Sequence, residues 1–366
     1  MPESRERSAE PGPPLRLSVL DQSPIAEGST GAQALRRTLD LARLTDRLGY
    51  HRFWVAEHHG TPMLAGAAPE ALIGAVAATT ARLRVGSGGV MLHHYSPRKV
   101  AETFSVLGGL FGGRIDLGLG RGADADPVTT HALQRDRRVP DPQDYPDQLA
   151  ELLAYLEDRP SPDRRFAGLA PLPGLPGRPE PWLLGTSLDS AIWAGKLALP
   201  YAFGDFINPA GAEIARLYRE SFVGTERLPA PLVAVTVAAI CADTDEQAQR
   251  LAASARMCAR MSHRGTPIPV PPPERALRDL ELGEEPAALR PRRMVLGSPA
   301  TVRAGLEAVA GEYGAGEVIV VTVTHSHTAR ERSYELIAEA FGLLSGERAA
   351  QPPREASRPH RGSVGT

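Results

Sequence analysis

Short apolar runs alternate along the chain with longer stretches whose apolar residues recur three and four positions apart. LRLSVL (15–20) predicts a strand. The helix after it has Thr30 as its cap, Leu35, Leu39, Ala42 and Leu48 at helical spacing, and Gly49 as its stop. RFWVAEHH (52–59) reads as the second strand. PEALIGAVAATTARL (69–83) reads as the second helix, with Pro69 and Glu70 suited to its first turn. LRVGSGGVML (83–92), SPRKVAETFSVLGGLF (96–111) and GRIDLGLGRG (113–122) continue strand, helix, strand. The rhythm then loosens. PWLLGT (181–186), ALPYAFG (198–204), PLVAVTVAAICA (231–242) and EVIVVTV (317–323) are further strands, each followed by a helical pattern. Eight strands alternating with helices predict an α/β fold, a (β/α)8 TIM barrel spanning residues 15–345 as a single domain. A doubly wound sheet normally has fewer strands per domain. Residues 123–147 and 159–180, and then 262–293, interrupt the count with Pro-, Asp- and Arg-rich segments. On the C-terminal side of a barrel such insertions form the mouth or lid of a site.

Composition narrows the class. The 366 residues are 42% hydrophobic, enough for a large core. A net charge of -2 with scattered basic residues is not the footprint of a nucleic-acid binder. Two cysteines, Cys241 and Cys258, suggest no disulfide framework and a reducing interior. The opening MPESRERSAEPGPP lacks the apolar core of a signal peptide, and no apolar run approaches the length of a membrane span. The expectation is a cytoplasmic protein without membrane or nucleic-acid partners, with disordered segments at 1–14 and 346–366.

Four segments hold candidate chemistry. Glu57, His58 and His59 close the second strand, on the face where barrel active sites form. If that strand continues, alternation points His58 away from Glu57 and His59. One metal could not then be shared by all three, and no further cluster supplies ligands, so no metal is expected. A catalytic histidine and a buried, hydrogen-bonded one both fit. The glycines of VGSGGVML mark close approach, by a ligand or by neighbouring backbone. Arg121 lies among Gly118, Gly120 and Gly122, which is not the GxGxxG fingerprint; it could grip an anion or make a surface ion pair. Gly185, Thr186 and Ser187 stand where the fifth strand enters a helix, a position that suits a phosphate cradle or a plain helix cap.

Taken in order, FWVAEHH, VGSGGVML with Pro97 after it, GRIDLGLGRG, LLGTS and GSPATVRAGLEAV (297–309) resemble the bacterial luciferase-like flavin monooxygenase family over roughly residues 15–345. The resemblance implies a barrel with FMN at its C-terminal mouth. It also implies reduced flavin (FMNH2) supplied by a separate flavin reductase, O2 as co-substrate, a C4a-peroxyflavin, a small-molecule substrate and a homodimer. His58 matches the active-site histidine beside the flavin ring. Gly88 and Gly89 match the pair at a non-prolyl cis peptide beneath it. Arg121 matches the flavin-contacting arginine, and Gly185, Thr186, Ser187 and Ser190 fall in the phosphate turn. Residues 262–293 match the mobile active-site loop. There are departures. Gly120 stands where light-emitting members have a reactive cysteine, Gly185 where they have an acidic residue, and His131 where related sequences have an arginine. These departures argue against light emission. An F420-dependent hydride-transfer enzyme on the same fold and a catalytically silent flavin-binding protein are the alternatives.

Overall fold

The structure, a computed structural model, describes residues 14–122, 127–134, 144–282 and 292–343. The expected disordered ends, apart from the residues adjoining the barrel, lie outside this range. Nine strands are present among the described residues: β1 (Arg16–Asp21), β2 (Arg52–Val55), β3 (Arg84–Met91), β4 (Ile115–Gly120), β5 (Glu180–Gly185), β6 (Tyr201–Gly204), β7 (Val233–Cys241), β8 (Met294–Gly297) and β9 (Glu317–Val321). The helices are α1 (Gly31–Leu48), α2 (Pro69–Thr79), α3 (Pro97–Leu110), α4 (Pro127–Leu133), α5 (Tyr145–Leu156), α6 (Leu188–Lys196), α7 (Ala212–Ser221), α8 (Asp245–His263), α9 (Pro273–Leu282), α10 (Pro299–Tyr313) and α11 (His327–Phe341). β1 to β7 and β9 pair in parallel, and the β1–β9 and β7–β9 ladders close the ring. This is the eight-stranded TIM barrel expected. No described helix is long and apolar enough to cross a membrane.

Local chemistry explains the elements. α1 opens on a reciprocal capping box between Thr30 and Gln33 and ends at Gly49 with φ 86°. The barrel strands are continuous apolar runs because helices cover their outer faces. β8 is a correction to the strand count. β7 has nine residues; Ala234–Ala238 pair with β9, and Ala238–Cys241 run on to accept β8 outside the ring. Between the first two insertions, α5 buries Leu149, Leu152 and Leu153. Two segments expected as loops contain helices: α4 lies within 123–147, and α9 lies within 262–293, where it buries Ala276 against α8. In the same segment Val270 bridges to Ala26, strapping the 7-to-8 connection onto the β1–α1 loop. Residues 283–291 of the expected mobile loop lie outside the described range.

The barrel interior is graded along its axis. At the N-terminal ends of the strands, the Arg52 guanidinium bonds Glu317 at 2.7 Å and Asp116 at 2.8 Å. Asp116 also receives the Trp54 indole N–H at 2.9 Å and pairs with Arg84. Arg52 lies 4.4 Å from the Trp182 ring, and Trp54 meets Trp182 edge-on. Above this charged and aromatic floor, Leu20, Ala56, Ile319 and Val321 continue the filling, with Leu184 packed against them. The floor is closed, so access comes from the C-terminal rim.

Candidate active site at the barrel mouth

Because the strands are parallel, the ends of β2, β3, β4 and β5 meet at one rim, bringing His58, Gly88–Gly89, Arg121 and the Gly185–Ser190 turn to the same face. β2 stops at Val55, so strand alternation does not govern Glu57 to His59. The Glu57 side chain is fully buried. It accepts from the Tyr95 hydroxyl at 2.6 Å and from the Met91 amide at 2.9 Å, and it pairs with His59 Nε2 at 2.7 Å. Glu57 therefore ties the β2 loop to the end of β3. Burial raises the Tyr95 hydroxyl pKa first, and its bond to Glu57 raises it further, so Tyr95 remains a donor.

His58 stands apart from that cluster. Its backbone N–H donates to Gly66 O at 2.8 Å, while ring Nδ1 is buried with no hydrogen-bond partner. Burial chiefly, and neighbouring His59 secondarily, lower its pKa to about 4. The imidazole is thus neutral near pH 7, able to donate from one nitrogen and accept at the other.

The Gly88–Gly89 peptide is cis. A Cβ on Gly88 would come within 2.5 Å of Leu20 Cδ1, and one on Gly89 within 2.8 Å of Gly118 O. Tight interior packing therefore accounts for these glycines, and it leaves bare backbone at the mouth. Arg121 is exposed and forms no hydrogen bond or ion pair with the described residues. Gly122 follows it with φ 72°. At the β5 turn Ser187 caps α6, accepting from the Ser190 amide at 3.3 Å. The Ser190 hydroxyl donates to Ser187 O at 2.8 Å and lies 3.0 Å from the Tyr201 hydroxyl. Ser190 thus braces the turn from within; Thr186 beside it is half-buried, and Leu188 and Asp189 at the start of α6 are exposed. Asp189 in the same turn is exposed and opposes an anion there. His131 is exposed on α4.

Several polar residues near this face had been passed over in the sequence. Gln134 Nε2 lies 3.1 Å from His94 Nδ1 and donates to His93 O, joining the end of α4 to the turn after β3. The His94 ring sits edge-on to His59 at 6.1 Å. Tyr145 stacks on Trp193 of α6, and Arg121 acts electrostatically on its hydroxyl. The second histidine pair in LHHYSP was the signal available for His94 and Tyr95.

A closed parallel barrel with one histidine-bearing rim defines an enzyme of the (β/α)8 class with its site at the C-terminal mouth. The chain belongs to the luciferase-like monooxygenase family, whose pattern it matches over residues 15–315. It is 37% identical over 331 residues to N-acetyl-S-alkylcysteine monooxygenase of Bacillus subtilis (strain 168), covering 89% of this chain and 98% of that protein. The solved structure of apo-MsnO8 is 43% identical with a TM-score of 0.82, covering 90% of this chain and 98% of its own. The oxygenating constituent of 3,6-diketocamphane monooxygenase from Pseudomonas putida, solved with FMN, shares the fold at 19% identity and a TM-score of 0.66, covering 90% and 98%.

Proposed function

We propose that this enzyme uses FMN, received as FMNH2 from a separate flavin reductase, and O2 to oxygenate a small organic molecule in the cytoplasm. The observation that carries this reading is the convergence of four features on one rim: the buried His58 Nδ1, the bare Gly88–Gly89 backbone, Arg121 with no ion pair among the described residues, and the start of α6. These residues fit a flat ring with a phosphate tail. Arg121, the Thr186 hydroxyl and the α6 amides would hold the phosphate. Ser187 and Ser190 keep that turn in shape, and Gly185 makes room for Ser190. Bound flavin would supply the redox chemistry. His58, neutral at working pH, would hold or move a proton at its ring nitrogen, and the wall of Leu20, Ala56 and Leu184 would limit water. N-acetyl-S-alkylcysteines are the first substrates to test, given the relative named for them. The active form is read as a homodimer through α2 and α3; Val106 and Leu110 of α3 are exposed apolar residues that suit a partner.

The deciding experiment is anaerobic titration of the protein with FMNH2, followed by rapid mixing with O2. Saturable binding and O2-dependent absorbance changes of the bound flavin support the reading. Binding of reduced F420 in place of FMNH2, without oxidation by O2, overturns it in favour of hydride transfer.

A further inference from the structure

The inside of the barrel is unevenly filled. Leu20, Trp54, Trp182 and Leu184 crowd the inward faces of β1, β2 and β5, whereas β6 and β7 present small residues there. Alternation along β7 makes the assignment. Val233, Val235 and Val237 pack outward with the helices and Ala234 packs inward, so Thr236 faces the interior. Thr236 pairs in register with Gly204 of β6 and Ile319 of β9. Gly204 beside it and Ala238 above it are partly exposed, so the mouth is open down to this level. Thr236 itself is 6% exposed, and its hydroxyl makes no hydrogen bond with the described residues. A Cβ on Gly204 would lie 3.3 Å from both Thr186 Cγ2 and Ile207 Cδ1, so glycine keeps a gap in the wall. Above Glu317, the inward positions of β6, β7 and β9 carry no charge, and the Asp205 carboxylate turns away to Tyr313 and Arg293.

We infer that the β6–β7 side of the mouth selects the substrate: Thr236 bonds a neutral oxygen, of a hydroxyl, carbonyl or amide, on an otherwise apolar group for which Gly204 leaves room. This rests on the reading that flavin occupies the rim from β2 to β5. A hydroxyl so nearly enclosed discriminates strongly. An apolar ligand would strip its water and leave it unpaired. An ionised group would lose its own hydration and find no opposite charge on these strands. A threonine hydroxyl both donates and accepts, so it separates neutral polar groups from apolar and charged ones without choosing between hydroxyl and carbonyl. Charged parts of a substrate stay at the open rim.

The test is saturation-transfer NMR on the full chain with two probes of one chain length, 1-hexanol and hexanoate. Saturable binding of 1-hexanol is expected, with hexanoate about tenfold weaker or more. Thr236→Val keeps the side-chain shape without the hydroxyl and should weaken 1-hexanol about fivefold, the scale of one neutral hydrogen bond. Thr236→Ser should restore most of that loss, which a purely structural role for Thr236 would not produce. Gly204→Leu should fill the gap and abolish the response, with thermal unfolding used to show that each variant is folded. The anaerobic FMNH2 titration reports the flavin reading separately, so a chain that passes this test and fails that one loses the flavin reading alone. Three results would overturn the selection. One is hexanoate binding as tightly as 1-hexanol. Another is unchanged 1-hexanol affinity in folded Thr236→Val and Gly204→Leu. The third is no saturable 1-hexanol binding up to about 20 mM, where only weak general association remains.

Discussion

Replacing His58 by Ala should lower single-turnover oxidation of a substrate by about 10²–10⁴, the range for a lost general acid–base group. FMNH2 affinity should largely survive, because the proposed phosphate contacts lie on β4 and β5. His59→Ala should act differently. It removes one of three partners of the buried Glu57 and should cost about 1–3 kcal/mol in urea unfolding, with a smaller effect on turnover. If His59→Ala instead abolishes turnover while His58→Ala keeps it, the two roles are reversed. Arg121→Ala should weaken FMNH2 binding by about 1.5–3 kcal/mol, measured by anaerobic titration. Unchanged affinity would remove Arg121 from the site.

Among the elements, the β5–α6 turn offers the sharpest test. A Cβ on Gly185 would collide with the Ser190 hydroxyl. Gly185→Ala should therefore destabilise the protein by about 1–3 kcal/mol through overpacking. Adding Ser190→Ala should recover part of that loss, because the hydroxyl is gone while the Ser190 Cβ, 2.7 Å from the added methyl, remains. Thermal unfolding of both variants checks this, and equal loss in the double variant would mean that strain lies elsewhere in the turn. The helices α2 and α3 bear the dimer reading. Sedimentation at micromolar concentration should give twice the 39.1 kDa chain mass, and a charge at Leu110 should shift the protein toward monomer.

For the molecule as a whole, the floor of the barrel and three lowered histidines set stability. Arg52→Met leaves Asp116 and Glu317 each short of a buried partner and should cost about 3–5 kcal/mol in denaturant unfolding. His51, His58 and His327 have pKa values lowered from 6.5 to about 4, in each case mainly by burial. A lowered histidine takes up its proton in the unfolded chain first. Stability should therefore be full above about pH 6.5 and fall as pH drops toward 4, where only the unfolded state binds these protons. His58→Gln should flatten that slope in urea titrations at pH 7 and pH 5. An unchanged slope would mean that His58 is not the buried neutral group described.

The sequence by itself determined the barrel and its rim. Parallel strands covered on both faces must be nearly all apolar, so their runs stand out, and the ends of such strands necessarily meet at one face. EHH, the glycine pair, Arg121 and the GTS turn were legible because each is a compact group at a strand end. Tertiary structure alone decided what those groups contact. β2 ends at Val55, so Glu57 finds Tyr95 and Met91 from a loop that alternation cannot describe. Ser190 turned inward because Tyr201 of the next strand lies beside it. β8 has only four residues, too few for a periodic signal, and it exists because β7 outruns the ring. Arg52, Asp116 and Glu317 are far apart in the chain. No local pattern joins such residues. Closing the ring does, by placing strands one and nine side by side.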